Sequence, residues 1–176
     1  MSEGQMLQGL PPIAGAQPTL LILGSMPSVA SLQKQQYYGH PRNAFWPLLA
    51  QLNHFPLRED YALNVAEAKQ RGIAVWDVIG ECVRPGSLDS AIVKGSERIN
   101  SIPEFLNLHP GIGRIGLNGG MAAKLFKRHC LAQLSAEQYQ IYTLPSTSPA
   151  NAAINFAEKC RRWQPLFDQT PLIAAP

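Results

Sequence analysis

The sequence predicts an α/β fold, a three-layer αβα sandwich built on a central parallel sheet of four strands. Short apolar runs alternate with stretches of helical spacing four times along the chain, an order that implies right-handed crossovers and helices on both faces of the sheet. Runs such as "TLLILG" are continuously apolar rather than alternating, as strands buried on both faces are. A chain of 176 residues with 45% hydrophobic content supports one compact domain with a real core.

"TLLILG", residues 19 to 24, is the first buried strand and ends in glycine. Helical spacing follows in "RNAFWPLLAQLN" and "REDYALNVAEAKQRG", with Pro47 limiting the first to a short or kinked helix. "GIAVWDVIG", residues 72 to 80, is the second strand, and the Pro, Gly and Ser of "ECVRPGSLDS" mark a loop after it. "SIPEFLNLHP" predicts a helix with Ser101 as N-cap and Pro103 in its first turn, ending at Pro110. Strands "RIGLNG" and "YQIYTLP" flank the helix "GMAAKLFKRHCLAQL". The helix "NAAINFAEKCRRWQPLF" closes the domain, with Ser148 and Pro149 reading as its N-cap and first position. The domain so defined spans 19–168. Residues 1–18 and 169–176, rich in Gly, Pro and Ala, read as tails.

Composition narrows function only a little. A net charge of +3 is a mild basic excess that fits a polyanionic partner without requiring one. No basic segment precedes an apolar run and a cleavage site near the start, and no apolar run approaches the ~18 residues of a membrane span. A cytoplasmic monomer without membrane contact is the expectation. Cys82, Cys130 and Cys160 are too scattered for a disulfide framework or a metal site, so packed interior thiols are expected, with no metal and no cofactor. The basic run Lys159, Arg161 and Arg162 reads as a solvated helix end favoured by the macrodipole.

In open α/β sheets the ligand site lies beyond the carboxyl ends of the strands. Four segments occupy those ends: "GSMPS", "WDVIGECVRPGSLDS", "NGG" and "LPSTSPAN". No Walker loop is present, and "GIGRIG" falls at the start of a strand rather than between strand and helix, which excludes dinucleotide binding. Ser146 and Ser148 lack the G-x-S-x-G elbow of a nucleophile. Beside these segments stands "YYGHPRNAFW", residues 37 to 46, with four aromatic rings, a histidine and an asparagine within ten positions.

Taken in order, "LILGSMPS", "YYGHPRNAFW", "WDVIGECVRPGS", "LNG" and "LPSTSPAN" resemble the uracil-DNA glycosylase superfamily, and its hypoxanthine-DNA glycosylase branch most of all. "YGHPRNAFW" is similar to the F-x-H-P-x-N-x-F-W segment of the mismatch-specific uracil glycosylases. "LPSTSPAN" resembles the superfamily's second motif, a loop that pushes into the duplex as the target nucleotide is turned out. The resemblance implies a uracil-DNA glycosylase-like sandwich and a repair enzyme acting on damaged DNA. Such an enzyme flips out a deaminated base, hypoxanthine or else uracil or xanthine, and hydrolyses its N-glycosidic bond.

Residue roles follow from the same resemblance read against the chemistry. Tyr38 stands where the mismatch enzyme has its stacking phenylalanine, while Tyr37, Phe45 and Trp46 are expected to anchor the loop in the core. Asn43 matches the asparagine credited with catalysis in the hypoxanthine branch, and its amide can read the lactam edge of a deaminated base if held in one orientation. Capping of the helix near Phe45 is its structural alternative. The superfamily's water-positioning Asp or Asn is replaced by Met26, whose thioether cannot orient water. His40 and Asp77 are therefore the other catalytic candidates, with loop hydrogen bonding as the plainer role of each. Gly24, Ser25, Met26 and Asn118 are expected around the base, and Arg84, Ser146, Thr147 and Ser148 on DNA phosphates. No lysine stands beside the aromatic and amide pair, which predicts a monofunctional hydrolase without lyase chemistry. Two other classes fit the same scaffold: a nucleoside hydrolase acting on a small molecule, and a catalytically silent binder of damaged DNA.

Overall fold

The computed structural model describes residues 4–168. Its centre is the expected parallel sheet, formed by β2 (Leu20–Gly24), β3 (Ile73–Asp77), β6 (Arg114–Asn118) and β7 (Gln140–Leu144) in the spatial order β3-β2-β6-β7. Pairing is in register along each strand, with Leu20 opposite Ile73 and Arg114. Because side chains alternate across a strand, the apolar runs feed two cores. Leu20, Ile22, Ile73 and Val75 pack against α2 (Phe45–Leu52), α3 (Tyr61–Gln70) and α6 (Phe156–Phe167). Leu21, Leu23, Ala74, Ile115 and Leu117 pack against α4 (Ile102–Leu108) and α5 (Gly120–His129). The three layers follow from that division.

Gly116 on β6 faces α6, where a Cβ would fall 2.7 Å from Leu166 Cδ2. A larger residue there would have to displace the Leu166 side chain, which is fully buried where the last helix meets the sheet. Trp163, fully buried on the same helix, donates its indole N–H to the Pro145 carbonyl at 2.9 Å and so ties α6 to the chain leaving β7.

Several local expectations are corrected. "GIAVWDVIG" is two strands rather than one: after Asp77 the chain leaves the parallel sheet, Val78 N–H bonding to Gly24 O, and continues as β4 (Ile79–Val83). β4 takes up the "ECV" expected in a loop and forms a second, antiparallel sheet with β1 (Met6–Gln8) and β5 (Arg98–Ile99). Local spacing does not reveal such a switch, since the apolar residues on both sides of Asp77 are buried, Val75 in one sheet and Val78 and Ile79 at the start of the other. Residues 6 to 13, assigned by composition to a tail, are folded in: β1 pairs with β4, Ile13 bridges Val75, and Leu10 and Ile13 are buried. Residues 1–3 and the expected tail 169–176 lie outside the described residues.

Two helix starts also differ. α1 (Val29–Lys34), too short and polar to show in the spacing, is capped by the Ser28 hydroxyl, which accepts from Ser31 N–H. α6 starts at Phe156, capped by Asn155, so Ser148 is not its N-cap and residues 148–154 are turns. Ser101 sits at the N-cap of α4 without a side-chain capping bond.

Candidate active site

The connection after β2 runs to β3 on one side, and that after β6 runs to β7 on the other. The crevice between the carboxyl ends of β2 and β6 is therefore the topological switch point, where α/β folds place ligands. A cavity of about 850 Å³ opens there, within the size range of small-molecule and cofactor sites. It is lined by Gly24 at the end of β2, Ser25 and Met26 after it, Asp77 at the end of β3 and Asn118 at the end of β6. Tyr38 and Asn43 and the loop Ser146–Ser148 complete the part of the wall foreseen from sequence.

Tyr38 has a left-handed backbone, φ 54°, a conformation costing ~1–3 kcal/mol for a non-glycine residue and kept only where the surroundings over-determine it. They do so here. Tyr37 is buried, donates its hydroxyl to Leu10 O at 2.9 Å and receives the Trp46 indole on its carbonyl at 2.8 Å. Tyr61 Oη accepts from the Tyr37 amide. The Gly39 amide is held by Ser31 Oγ. Tyr37, Phe45 and Trp46 are thus the expected anchors. The Tyr38 ring lies against Phe45, with centroids 4.0 Å apart and planes 25° from parallel. Its hydroxyl is buried without a hydrogen-bond partner among the described residues.

Asn43 is half-buried, and its Oδ1 accepts from Phe45 N–H at 2.9 Å. The N-cap of α2 is Ala44, without a side-chain capping bond; Asn43, one residue before it, supports the helix start through the Phe45 amide and lines the cavity as well. That bond fixes the amide: the carbonyl end points back at the helix start, and the NH2 end makes no hydrogen bond among the described residues. Ala44 N–H, next along the chain, bonds to Thr147 O at 3.0 Å and joins this wall to the loop after β7.

The floor is made by Gly24 and Asp77. A Cβ on Gly24 would lie 2.5 Å from Asp77 Oδ1 and 2.9 Å from the Tyr38 hydroxyl, so glycine is what lets both reach the base of the cavity. Asp77 is 4% exposed, and its Oδ2 has no partner among the described residues. Burial, reinforced by the nearby Asp89 and opposed by Arg84, pushes its carboxyl up to about 7. Burial likewise raises the Tyr38 phenol, which stays protonated. Met26 is 7% exposed, part of the core against α4 and α5 and part of the cavity wall.

Other expected residues are not brought into the cavity, or have their groups engaged. His40 does not line it; its Nδ1 accepts from Arg42 N–H at 3.1 Å, the plainer role foreseen for it. Arg84 is 4% exposed and braces two loops, donating from Nε to Gly86 O and from Nη2 to Pro27 O, so it cannot grip a phosphate outside. Thr147 is 1% exposed and locked to Asn118 by a reciprocal pair of 3.0 Å bonds. That correction removes Thr147 from the DNA-facing set and makes Asn118 a brace at the wall. Ser146 and Ser148 stand at the rim, with oxygens accepting from Ser148 N–H and Ala150 N–H.

Sequence reasoning missed three contributors. Asp89, in a short 3-10 turn at 89–91, lines the cavity and accepts from Ser25 Oγ at 2.7 Å; its only signal was its place in the polar stretch after the second strand. Arg161 and Arg162 line the mouth from the middle of α6, both bonded to Glu158. They are not at a helix C-terminus, and Lys159 between them and the core is buried, so the macrodipole reading of this run fails.

Comparison with known proteins agrees with this geometry. The family model described as the uracil DNA glycosylase superfamily matches residues 11–167. A protein of Methanosarcina acetivorans named hypoxanthine DNA glycosylase is 33% identical over 161 residues, covering 91% of this chain and 97% of its own. Its namesake from Methanosarcina barkeri is 34% identical, covering 82% and 87%. The solution NMR structure of an M. acetivorans protein provisionally named a uracil DNA glycosylase superposes with a TM-score of 0.75 at 30% identity, over 93% of this chain and all of that one.

Proposed function

The chain belongs to the uracil DNA glycosylase superfamily, and from that premise we propose that it is a DNA repair N-glycosylase that releases deaminated bases, hypoxanthine first, from DNA. The relatives named hypoxanthine DNA glycosylase support this substrate. Within the cavity the observation that carries it is the fixed amide of Asn43, whose uncommitted end among the described residues is a donor pair.

A deaminated base bears a carbonyl where its parent bears an amino group. The Asn43 NH2 meets that carbonyl as donor to acceptor in hypoxanthine, uracil or xanthine. Against adenine or cytosine it meets another donor, and an unmet polar group in a dry pocket costs ~1–3 kcal/mol. The same donor opposes the negative charge that builds on the departing base, which is catalysis by a fixed dipole.

To reach this pocket the nucleotide leaves the helix, losing a few kcal/mol of stacking and pairing. Stacking on Tyr38 returns ~1–3 kcal/mol, and Phe45 behind the ring keeps it in place. Water then replaces the base at the sugar. No lysine lines the cavity among the described residues, which supports hydrolysis without a Schiff base. Among the described residues no helix is long and apolar enough to cross a membrane.

The test is base release from matched duplexes carrying one deoxyinosine or one deoxyuridine, with deoxyadenosine as control. Hypoxanthine release that Asn43→Ala abolishes and Tyr38→Ala weakens is the expected result. Cleavage of free inosine alone would mark a nucleoside hydrolase, and binding to damaged duplex without any release would mark a silent binder.

A further inference from the structure

Glycosidic cleavage needs somewhere for the electrons of the departing base to go. Among the described residues no histidine lines the cavity, His40 included. Two carboxyls do line it, Asp77 and Asp89. Asp89 is engaged by the Ser25 hydroxyl. Asp77 makes no side-chain hydrogen bond among the described residues, is enclosed at the floor, and is approached closely only because residue 24 is a glycine. A buried polar group left unpartnered in the free protein is an exception to the usual pairing rule, and at the floor of a cavity it marks where a ligand completes the pairing.

We propose that Asp77 is the general acid of the reaction, entering the complex as the neutral carboxylic acid and protonating the ring nitrogen N7 of the departing hypoxanthine. This rests on the glycosylase reading above. As the bond between the sugar C1′ and N9 breaks, its electron pair passes into the purine ring and the Asp77 proton goes to N7, so a neutral base leaves. A water oxygen bonds to C1′ and gives up its proton to solvent, from which Asp77 is reprotonated. The Tyr38 hydroxyl, the other unpartnered group at the floor, is a second donor to the same polar edge.

The surroundings suit an acid that works near neutrality. Burial and the Asp89 carboxylate favour the neutral form, Arg84 opposes them, and the remaining titratable neighbours, Tyr37 and Tyr38, stay protonated. A general acid contributes ~10²–10⁴-fold when its protonation matches the working pH.

The sign of the pH dependence decides the matter. Single-turnover release of hypoxanthine is measured from pH 5.5 to 9 for the intact protein and for Asp77→Asn, with thermal melts showing that the variant folds. The intact enzyme should slow as pH rises through about 7. Asp77→Asn should be ~100-fold slower at pH 6, lack that limb, and converge with the intact enzyme at high pH, where neither can donate a proton. A rate that rises with pH and is lost in the variant at high pH would make Asp77 a water-orienting base and overturn the proposal. So would a variant that keeps the limb, or one as fast as the parent. Absence of hypoxanthine release from the intact protein at every pH would instead defeat the glycosylase reading on which the proposal rests.

Discussion

The floor and the mouth of the cavity are built on opposite principles. At the floor, the Tyr38 hydroxyl and Asp77 Oδ2 are buried without partners among the described residues, beside an Asn43 amide whose NH2 end makes no hydrogen bond among them. At the mouth, the hydroxyl oxygens of Ser146 and Ser148 accept from nearby backbone N–H groups and both arginines are bonded to Glu158. The floor leaves its polar needs unmet until a base arrives, and the mouth meets its own. Discrimination is therefore written into the floor, where an unpaired group is costly. The exposed arginines of the mouth lie in water and salt, where any charge contact they make is screened.

The largest effect should come from the wall beside the floor, where Asn43 stands. Asn43→Ala should lower hypoxanthine release ~10²–10³-fold, the usual effect of losing one aligned donor, with duplex affinity nearly unchanged. A matching loss of affinity would mean that Asn43 belongs to the mouth.

Next in size is a stability effect. The folded protein holds the Asp77 proton up to about 7, against an ordinary value of 3.8. Folding is thus favoured fully below about pH 4 and loses this contribution as pH rises through 7. Asp77→Asn, which cannot ionise, should be more stable than the parent at pH 8 by the order of 2–4 kcal/mol and no more stable at pH 4, as read by chemical denaturation. Equal differences at both pH values would show that folding does not shift the Asp77 carboxyl from its ordinary value.

Tyr38→Ala should reduce kcat/KM on deoxyinosine duplex ~10–100-fold, the worth of one base stacked on a ring. Tyr38→Phe keeps the face and should recover most of that, leaving the hydroxyl's share as the remainder.

The smallest effect belongs to the mouth. Glu158→Gln releases Arg161 and Arg162 from their shared carboxylate, and should tighten DNA binding by about two- to tenfold at low salt. The log–log salt slope should steepen by roughly one for each phosphate gained. An unchanged slope would show that the two arginines do not meet DNA.

Much of the architecture is legible in the residues alone. Leu20 to Leu23 on the first strand of the parallel sheet declare a strand buried on both faces, and the recurrence of such runs between helical stretches leaves few topologies. The strand ends point to the site: Gly24, Ser25, Asp77 and Asn118 all line the cavity. Tyr38 and Asn43 are legible for another reason, since they belong to a compact motif in which the sequence neighbours Tyr37, Phe45 and Trp46 supply the support.

What stays hidden depends on long-range proximity. Arg84 reads as a surface cation until β4 carries it beneath the Pro27 carbonyl, and Thr147 reads as a phosphate contact until Asn118, far off in sequence, takes both its amide and its hydroxyl. The strand break after Asp77 and the pairing of β1 with β4 are likewise settled by which edge lies free.

By itself the sequence determined the parallel sheet, the two apolar faces of its strands and the chemistry available at their carboxyl ends, because periodicity and residue type are local properties. Only the tertiary structure decided which of those groups are left wanting a partner. Whether Asp77 Oδ2 and the Tyr38 hydroxyl find partners, or Arg84 Nε and Nη2 are held by backbone carbonyls while its Nη1 is left without one among the described residues, depends on atoms contributed by other segments, and hydrogen bonding acts over a few ångströms of space whatever the distance along the chain.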